Sequence, residues 1–283
     1  MAGASEKVIR NRIRSMKGTK QITRAMELVA ASKLRGAQEQ ISKVRPYYET
    51  LYDAMQAVAE SSREGHIPYF REKEGDKRLY VVIGGDRGMA GGYNSNVLKG
   101  FAPLLQEKTA TVIPVGRKAV EFYGGGEETP EGGNYIRGES VSVGDCYTLA
   151  NLLTRRYLTG EYRQISVIYT KFISVLSQIP EMLTLLPIPV EGKRSVIPGN
   201  MLFEPDSNAV LDQLVPEYLG GVLYGAVCES RAAEQAARRV AMDAAQKNAE
   251  EMIQKLGLQY NRVRQAAITR EITEIVAGAG AEE

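Results

Sequence analysis

From about Ser5 to Ser61, apolar residues recur at intervals of three and four. Ile9, Ile13 and Met16 begin the series, and Ile22, Met26 and Val29 follow. Ile41, Val44, Tyr48, Leu51, Met55 and Val58 extend it. That spacing predicts one long amphipathic helix with polar residues on the opposite face. The register slips between Met16 and Ile22, so a strict heptad seam is not expected. Pro46 is the one proline in the segment, and it is expected to kink the helix or begin a second one.

A second helical pattern runs from about Asn208 to Val276. Leu211 and Leu214 open it, and Pro216 marks an expected kink. Ala232, Ala233, Ala236, Ala237, Ala241, Ala244, Ala245 and Ala249 follow. Alanine favours helix and lets a neighbouring helix approach closely. Ala249, Met252, Leu256, Tyr260, Val263 and Ala267 then make a stripe, with Ile268, Ile272 and Ile275 on a neighbouring face. The tail from Ala277 to Glu283 is expected to fray.

Between these segments, from about Asp76 to Pro205, β-rich runs alternate with helical ones. Strands are expected at Leu79–Ile83, Thr111–Val115, Ile165–Tyr169 and Met182–Ile188. Helical patterns lie at Asn94–Lys108, Arg117–Tyr123 and Val143–Thr159, the last capped near Ser142 or Asp145. Gly124–Gly133 reads as a turn-rich loop. The alternation predicts a small α/β domain with a largely parallel sheet.

A helix rises about 1.5 Å per residue, so about 55 residues span roughly 80 Å and about 70 span roughly 100 Å. A middle region of about 130 residues has a radius of gyration of only about 14 Å. Helices that long cannot be folded away inside it, and their stripes are unfavourable in water at about 25 cal/mol per Å². Entering and leaving one domain, they are expected to pair antiparallel. The expected fold class is α/β plus coiled coil. A long antiparallel two-helix coiled coil from the N- and C-terminal segments carries a small central Rossmann-like α/β domain. The boundaries are 1–61, 62–207 and 208–283. The pattern alone says that two helices meet, and a dimerisation arm or spacer fits it as well as a moving part does.

Charge adds an asymmetry. Lys+Arg is 36 and Asp+Glu is 34, a net charge of +2. The first 45 residues, however, stand near +8 and the remainder near −6. A basic end suggests an acidic partner: nucleic acid, anionic lipid or an acidic protein surface. Its basic residues scatter around the helix, and no aromatic residue interleaves with them before Tyr47, which argues against nucleic acid. Cys146 and Cys228 have no metal or redox spacing and read as buried thiols. The single His66 gives a catalytic triad or metal cluster little to build on. Met1 to Lys7 leads into charged sequence, so no signal peptide is expected. The longest apolar run, Leu219 to Cys228, is about half of what a membrane span requires.

The run Gly84-Gly85-Asp86-Arg87-Gly88-Met89-Ala90-Gly91-Gly92-Tyr93-Asn94 follows a strand and precedes a helix, the place where phosphate-binding loops lie. It lacks G-x-G-x-x-G spacing and the Gly-Lys-Ser/Thr of a Walker loop. It reads as a tight backbone turn with Asp86 and Arg87 exposed for partner contact. On the C-terminal helix, Arg264, Gln265 and Ile268 share one side.

Four segments carry a family resemblance. Ile13 to Leu34 (IRSMKGTKQITRAMELVAASKL) closely resembles the N-terminal signature of the gamma subunits of F-type, proton-translocating ATP synthases of the bacterial type. Asp86 to Asn94 resembles the central signature, with Met89-Ala90 where the family usually has Leu-Cys. Glu204-Pro205-Asp206 and Tyr260 to Val276 resemble the later motifs. The resemblance runs from about residue 5 to 280.

It implies a rotor shaft inside a ring of alpha and beta subunits, with a foot on the epsilon subunit and the c-ring. It implies no catalytic, cofactor or metal site in this chain, ATP or ADP and Mg being bound by the alpha and beta subunits. Met26, Arg264, Gln265 and Thr269 match positions facing the beta subunits. Phe203, with Asp86 and Arg87, is expected at the foot near epsilon and the c-ring. The implied location is peripheral to the cell membrane, on its cytoplasmic side, with no transmembrane segment. Thiol regulation of the chloroplast kind is not expected.

Overall fold

The computed structural model describes residues 2–61, 68–124, 137–189, 204 and 206–279, with side chains for all of them except 2–5, 59–61, 278 and 279. In chain order the elements are α1 (Ala2–Ser61), β1 (Arg78–Ile83), α2 (Tyr93–Gly100), α3 (Ala102–Leu105), β2 (Ala110–Val115), α4 (Arg117–Tyr123), α5 (Val143–Leu158), β3 (Gln164–Phe172), β4 (Gln178–Leu186) and α6 (Ser207–Ala279). The chain divides into two compact units, Met1–Ala30 with Arg239–Glu283, and Ala31–Arg238. The division cuts through both long helices instead of falling at their ends.

Both prolines lie inside unbroken helices, so neither begins a second segment. Pro46 is on the exposed side of α1, where water can reach the carbonyl that loses its N–H donor. The expected amphipathic helix at Asn94–Lys108 is instead two, α2 and α3, with Phe101 between them and a proline in the first turn of α3. β4 begins four residues before the predicted strand. α6 continues through Ala277 to Ala279. Most of the predicted loop at Gly124–Gly133, along with His66 and Phe203, lies outside the described residues.

In the smaller unit the two helices run antiparallel. Glu6 accepts a hydrogen bond from the Tyr260 hydroxyl at 2.9 Å, Lys20 pairs with Glu250 at 2.9 Å, and Glu27 lies 3.7 Å from Arg239. As the α1 position rises, the α6 position falls. The buried and half-buried α1 residues here are Glu6, Ile9, Ile13, Met16, Gly18, Lys20, Thr23, Met26, Glu27 and Ala30. Ile9, Ile13, Met16, Lys20, Thr23, Glu27 and Ala30 among them step by three and four across the point where the apolar series slips, with Gly18 and Met26 half-buried beside that line. Ile22 and Val29 are 62% and 57% exposed, while Thr23 is 8% and Ala30 1%.

The seam can pass through polar residues because each has a local solution. The Thr23 hydroxyl donates to the carbonyls of Thr19 and Lys20, both at 3.1 Å. Lys20 can lay its methylene stem along the seam and send its ammonium out to Glu250. On α6 the matching series is Met242, Gln246, Ala249, Ile253, Leu256, Tyr260, Val263 and Ala267. Ile253 takes the place expected for Met252, which is 46% exposed.

The larger unit is built on a four-stranded sheet ordered β2-β1-β3-β4. β1 pairs parallel with β2 and β3, and β4 closes the sheet antiparallel on β3. Alternate β1 residues feed two cores. Leu79, Val81 and Ile83 face α5 and the inner stretches of α1 and α6, together with Met55, Leu153, Leu219 and Leu223. Tyr80 and Val82 face α2, α3 and α4. α5 begins at a full capping box. The Ser142 hydroxyl accepts from the Asp145 N–H at 3.2 Å, and the Asp145 carboxylate accepts from the Ser142 N–H at 2.8 Å.

Candidate functional site

The glycine-rich loop after β1 sits where the strand order reverses, since β2 lies on one side of β1 and β3 on the other. In open α/β sheets that crevice is where ligands bind. Here it is occupied by the chain itself. The Gly85 N–H donates to Asn94 Oδ1 at 2.9 Å. A Cβ on Gly85 would lie 3.0 Å from the Glu234 carboxylate of α6. Gly116 (φ +91°) has no room for a side chain, because a Cβ there would fall 2.2 Å from the Gly84 carbonyl oxygen.

The Asp86 carboxylate accepts the N–H of Arg117 at 3.0 Å, that of Gly138 at 2.8 Å and that of Glu139 at 2.8 Å. The α4 N-terminus, which would otherwise draw an anion, is thus already facing a carboxylate. Asp86 is half-buried and spent on the backbone, whereas Arg87 is exposed. The sequence put both outward, and Asp86 differs because the chain at 116–139 folds back to it.

From the other side α6 grips this loop. Ala90 and Tyr93 pack on Ala233 and Ala237. Arg238 pairs with Glu234 at 2.5 Å and donates to the Gly88 carbonyl at 3.3 Å. Arg231 donates to the carbonyls of Gly138 and Val141 at 2.6 and 2.7 Å. Burial holds the Glu234 carboxyl above its usual range, with Arg238 pulling the other way. Burial likewise pushes the Cys146 thiol up to about 12 and raises that of Cys228. These residues fasten the middle of α6 to the sheet. The sequence reading missed Glu234 and Arg238, for which the available signal was an i,i+4 acid–base pair within an alanine-rich stretch otherwise poor in partners.

The residues expected to face beta subunits all lie in the smaller unit. Arg264, Gln265 and Thr269 are exposed, within two helical turns of one another on α6. Met26 is half-buried on α1. Exposed apolar side chains are also present in this unit: Ile22, Leu28 and Val29 on α1, and Leu258, Ile268, Ile272 and Ile275 on α6. In the larger unit, Ile173, Leu176 and Ile179 are exposed around the β3–β4 hairpin.

Two long helices, antiparallel to each other in the smaller unit, and a four-stranded mixed sheet in the larger unit define a coiled-coil protein with a small α/β domain. Residues 5–281 match the ATP synthase family. The chain is 40% identical over 279 residues to the ATP synthase gamma chain of Ruminococcus albus, with 96% of each covered. It is 39% identical over 288 residues to that of Desulforamulus reducens, with 99% of this chain and 100% of the other covered. In fold it is similar to a chain of the Euglena gracilis mitochondrial ATP synthase OSCP/F1/c-ring structure, with a TM-score of 0.66, 19% identity, and 99% and 95% of the two chains covered. A chain of the Tetrahymena thermophila mitochondrial ATP synthase central stalk/c-ring structure gives a TM-score of 0.58 and 21% identity, over 79% of this chain and 99% of the other. The chain belongs to the ATP synthase gamma chain family.

Proposed function

We propose that this chain is the central rotor shaft of an F-type ATP synthase, passing torque between a proton-driven c-ring and the catalytic beta subunits of an alpha–beta ring. The observation that carries the reading is the smaller unit's antiparallel helix pair, whose exterior keeps Ile22, Leu28, Leu258, Ile268, Arg264 and Gln265 exposed. A two-helix cross-section has no threefold symmetry. Three equivalent subunits around it would each meet a different face at any one angle. Differential contact of this kind biases otherwise equal sites toward different affinities, which is coupling by a turning effector.

On this reading Arg264, Gln265 and Thr269 make polar contact with acidic loops of the beta subunits, and Met26 adds an apolar contact from α1. Arg87, exposed in the loop after β1, would contact the epsilon subunit and the c-ring at the foot, a role that the family resemblance also gives Phe203. Catalysis, nucleotide and Mg²⁺ stay with the alpha and beta subunits. The chain sits peripherally at the cytoplasmic face of the cell membrane. No helix among the described residues is long and apolar enough to cross a membrane.

The test is assembly followed by coupling. The tagged chain is expected to co-purify with alpha and beta subunits free of nucleic acid. Arg264→Ala is expected to leave assembly and nucleotide binding intact while lowering the yield of ATP per proton. Purification with nucleic acid instead of those subunits would point to a nucleic-acid-binding protein.

A further inference from the structure

The larger unit contains a cavity of about 520 Å³ that the rotor reading does not use. It lies where α1, α6 and the sheet converge, and its wall includes Tyr48, Tyr52, Tyr169, Tyr218, Glu49 and Glu229. The volume is in the range of small-molecule sites, about 300–1,000 Å³. Among the described residues that line it, none is a lysine, arginine or histidine.

The walls are held in place. The Tyr52 and Tyr218 rings stand 5.8 Å apart, centroid to centroid. The Tyr52 hydroxyl donates to the Pro189 carbonyl at 2.8 Å and accepts from Gln56 at 3.0 Å. Gly225 keeps space open beside Tyr48, since a Cβ there would come within 2.9 Å of that ring.

Glu229 supplies the second observation. It is 6% exposed. One carboxylate oxygen binds the Arg45 guanidinium at 2.8 Å, and the other is buried without a hydrogen-bond partner among the described residues. A buried carboxylate oxygen left unsatisfied is unfavourable and calls for a donor. Tyrosine faces attract cations within about 6 Å of the ring centre. An ordered box of tyrosines, a solvent-facing carboxylate at Glu49 and a half-satisfied buried one at Glu229 therefore specify a compact cation with N–H donors and an apolar stem.

We propose that this cavity binds an alkyl-guanidinium or alkyl-ammonium group, with the tyrosine rings around the stem and Glu49 and Glu229 as counter-ions. The group is either a free small cation or a basic side chain of a partner subunit. Agmatine, an alkyl-guanidinium with a terminal ammonium, is the probe, and N-butylurea is a neutral control that keeps the butyl stem but lacks both charges.

Calorimetric titration of the full chain is expected to show one saturable agmatine site, no comparable N-butylurea binding, and at least tenfold weaker agmatine binding in Glu49→Gln. Glu229→Gln is expected to weaken it similarly. Glu49 is exposed, so that variant keeps the test valid if Glu229→Gln fails to fold. Repeating the titration on the assembled enzyme separates the two sources. Retained binding identifies a free cation, and lost binding identifies a partner's side chain already in place. No saturable site on the free chain, equal binding of N-butylurea, or unchanged affinity in Glu49→Gln would overturn the proposal. None of these outcomes bears on rotation, so the rotor reading stands or falls separately.

Discussion

Glu234 and Arg238, one turn apart on α6, form an ion pair with their side chains only 7% and 8% exposed, against the backbone of the glycine loop. Removing one member of such a pair strands the other in a low-dielectric site. Arg238→Ala is therefore expected to destabilise the chain by about 3–5 kcal/mol, a much larger loss than for an exposed arginine. Thermal or denaturant unfolding of the two variants side by side measures it.

The same pair sets a pH dependence. Burial raises the folded-state carboxyl of Glu234. In the pH range between its unfolded and folded values the native state holds more protons at this site than the unfolded one. Its stabilising contribution is thus fully present below the ordinary carboxyl range and is lost as pH rises through the folded value. Glu234→Gln does not titrate. Relative to that variant, the wild type is expected to lose stability as pH rises from about 4. Parallel melting curves across pH test this, and a difference that is flat or of opposite slope contradicts it.

Glycines on α6 separate two physical roles. A Cβ on Gly220 would lie 2.4 Å from the Tyr147 ring, whereas one on Gly257 meets nothing within 4 Å. Gly220→Ala is expected to destabilise by about 1–3 kcal/mol through overpacking. Gly257→Ala is expected to stabilise by up to about 1 kcal/mol through helix propensity. Opposite shifts in melting temperature are the expected readout.

Gln246 occupies a seam position with its side-chain oxygen buried and unpaired. Gln246→Leu removes that desolvated acceptor and is expected to stabilise the helix pair by about 1–3 kcal/mol. The readout is resistance of the 239–283 segment to proteolysis, together with the unfolding midpoint.

Much of the architecture was legible because periodicity is a backbone property. The two long helices, the four strands and the Ser142 cap all follow from spacing and turn chemistry. The seam was less legible. Hydrophobicity selects Ile22 and Val29, while the structure buries Thr23 and Ala30. A seven-residue repeat can pass through threonine and lysine when their polar atoms find local partners, and composition does not report those partners. Ile22 and Val29 stay apolar and exposed on a shaft that has other subunits to meet. The loop after β1 was placed correctly but its filling was not, because Glu234 and Arg238 arrive from some 150 residues downstream. The exposed positions Arg264, Gln265 and Thr269 owe their selection to the family motif. Nothing in their local pattern distinguishes them from ordinary solvated residues.

Rotation tests the central claim most directly. Cys146 and Cys228 are both buried, so a cysteine introduced at the exposed Lys108 can take a probe selectively. With the alpha–beta ring fixed to a surface and the labelled chain assembled into it, ATP is expected to drive the probe round in one direction. ATP hydrolysis by that complex with the labelled chain stationary against the ring would contradict the account.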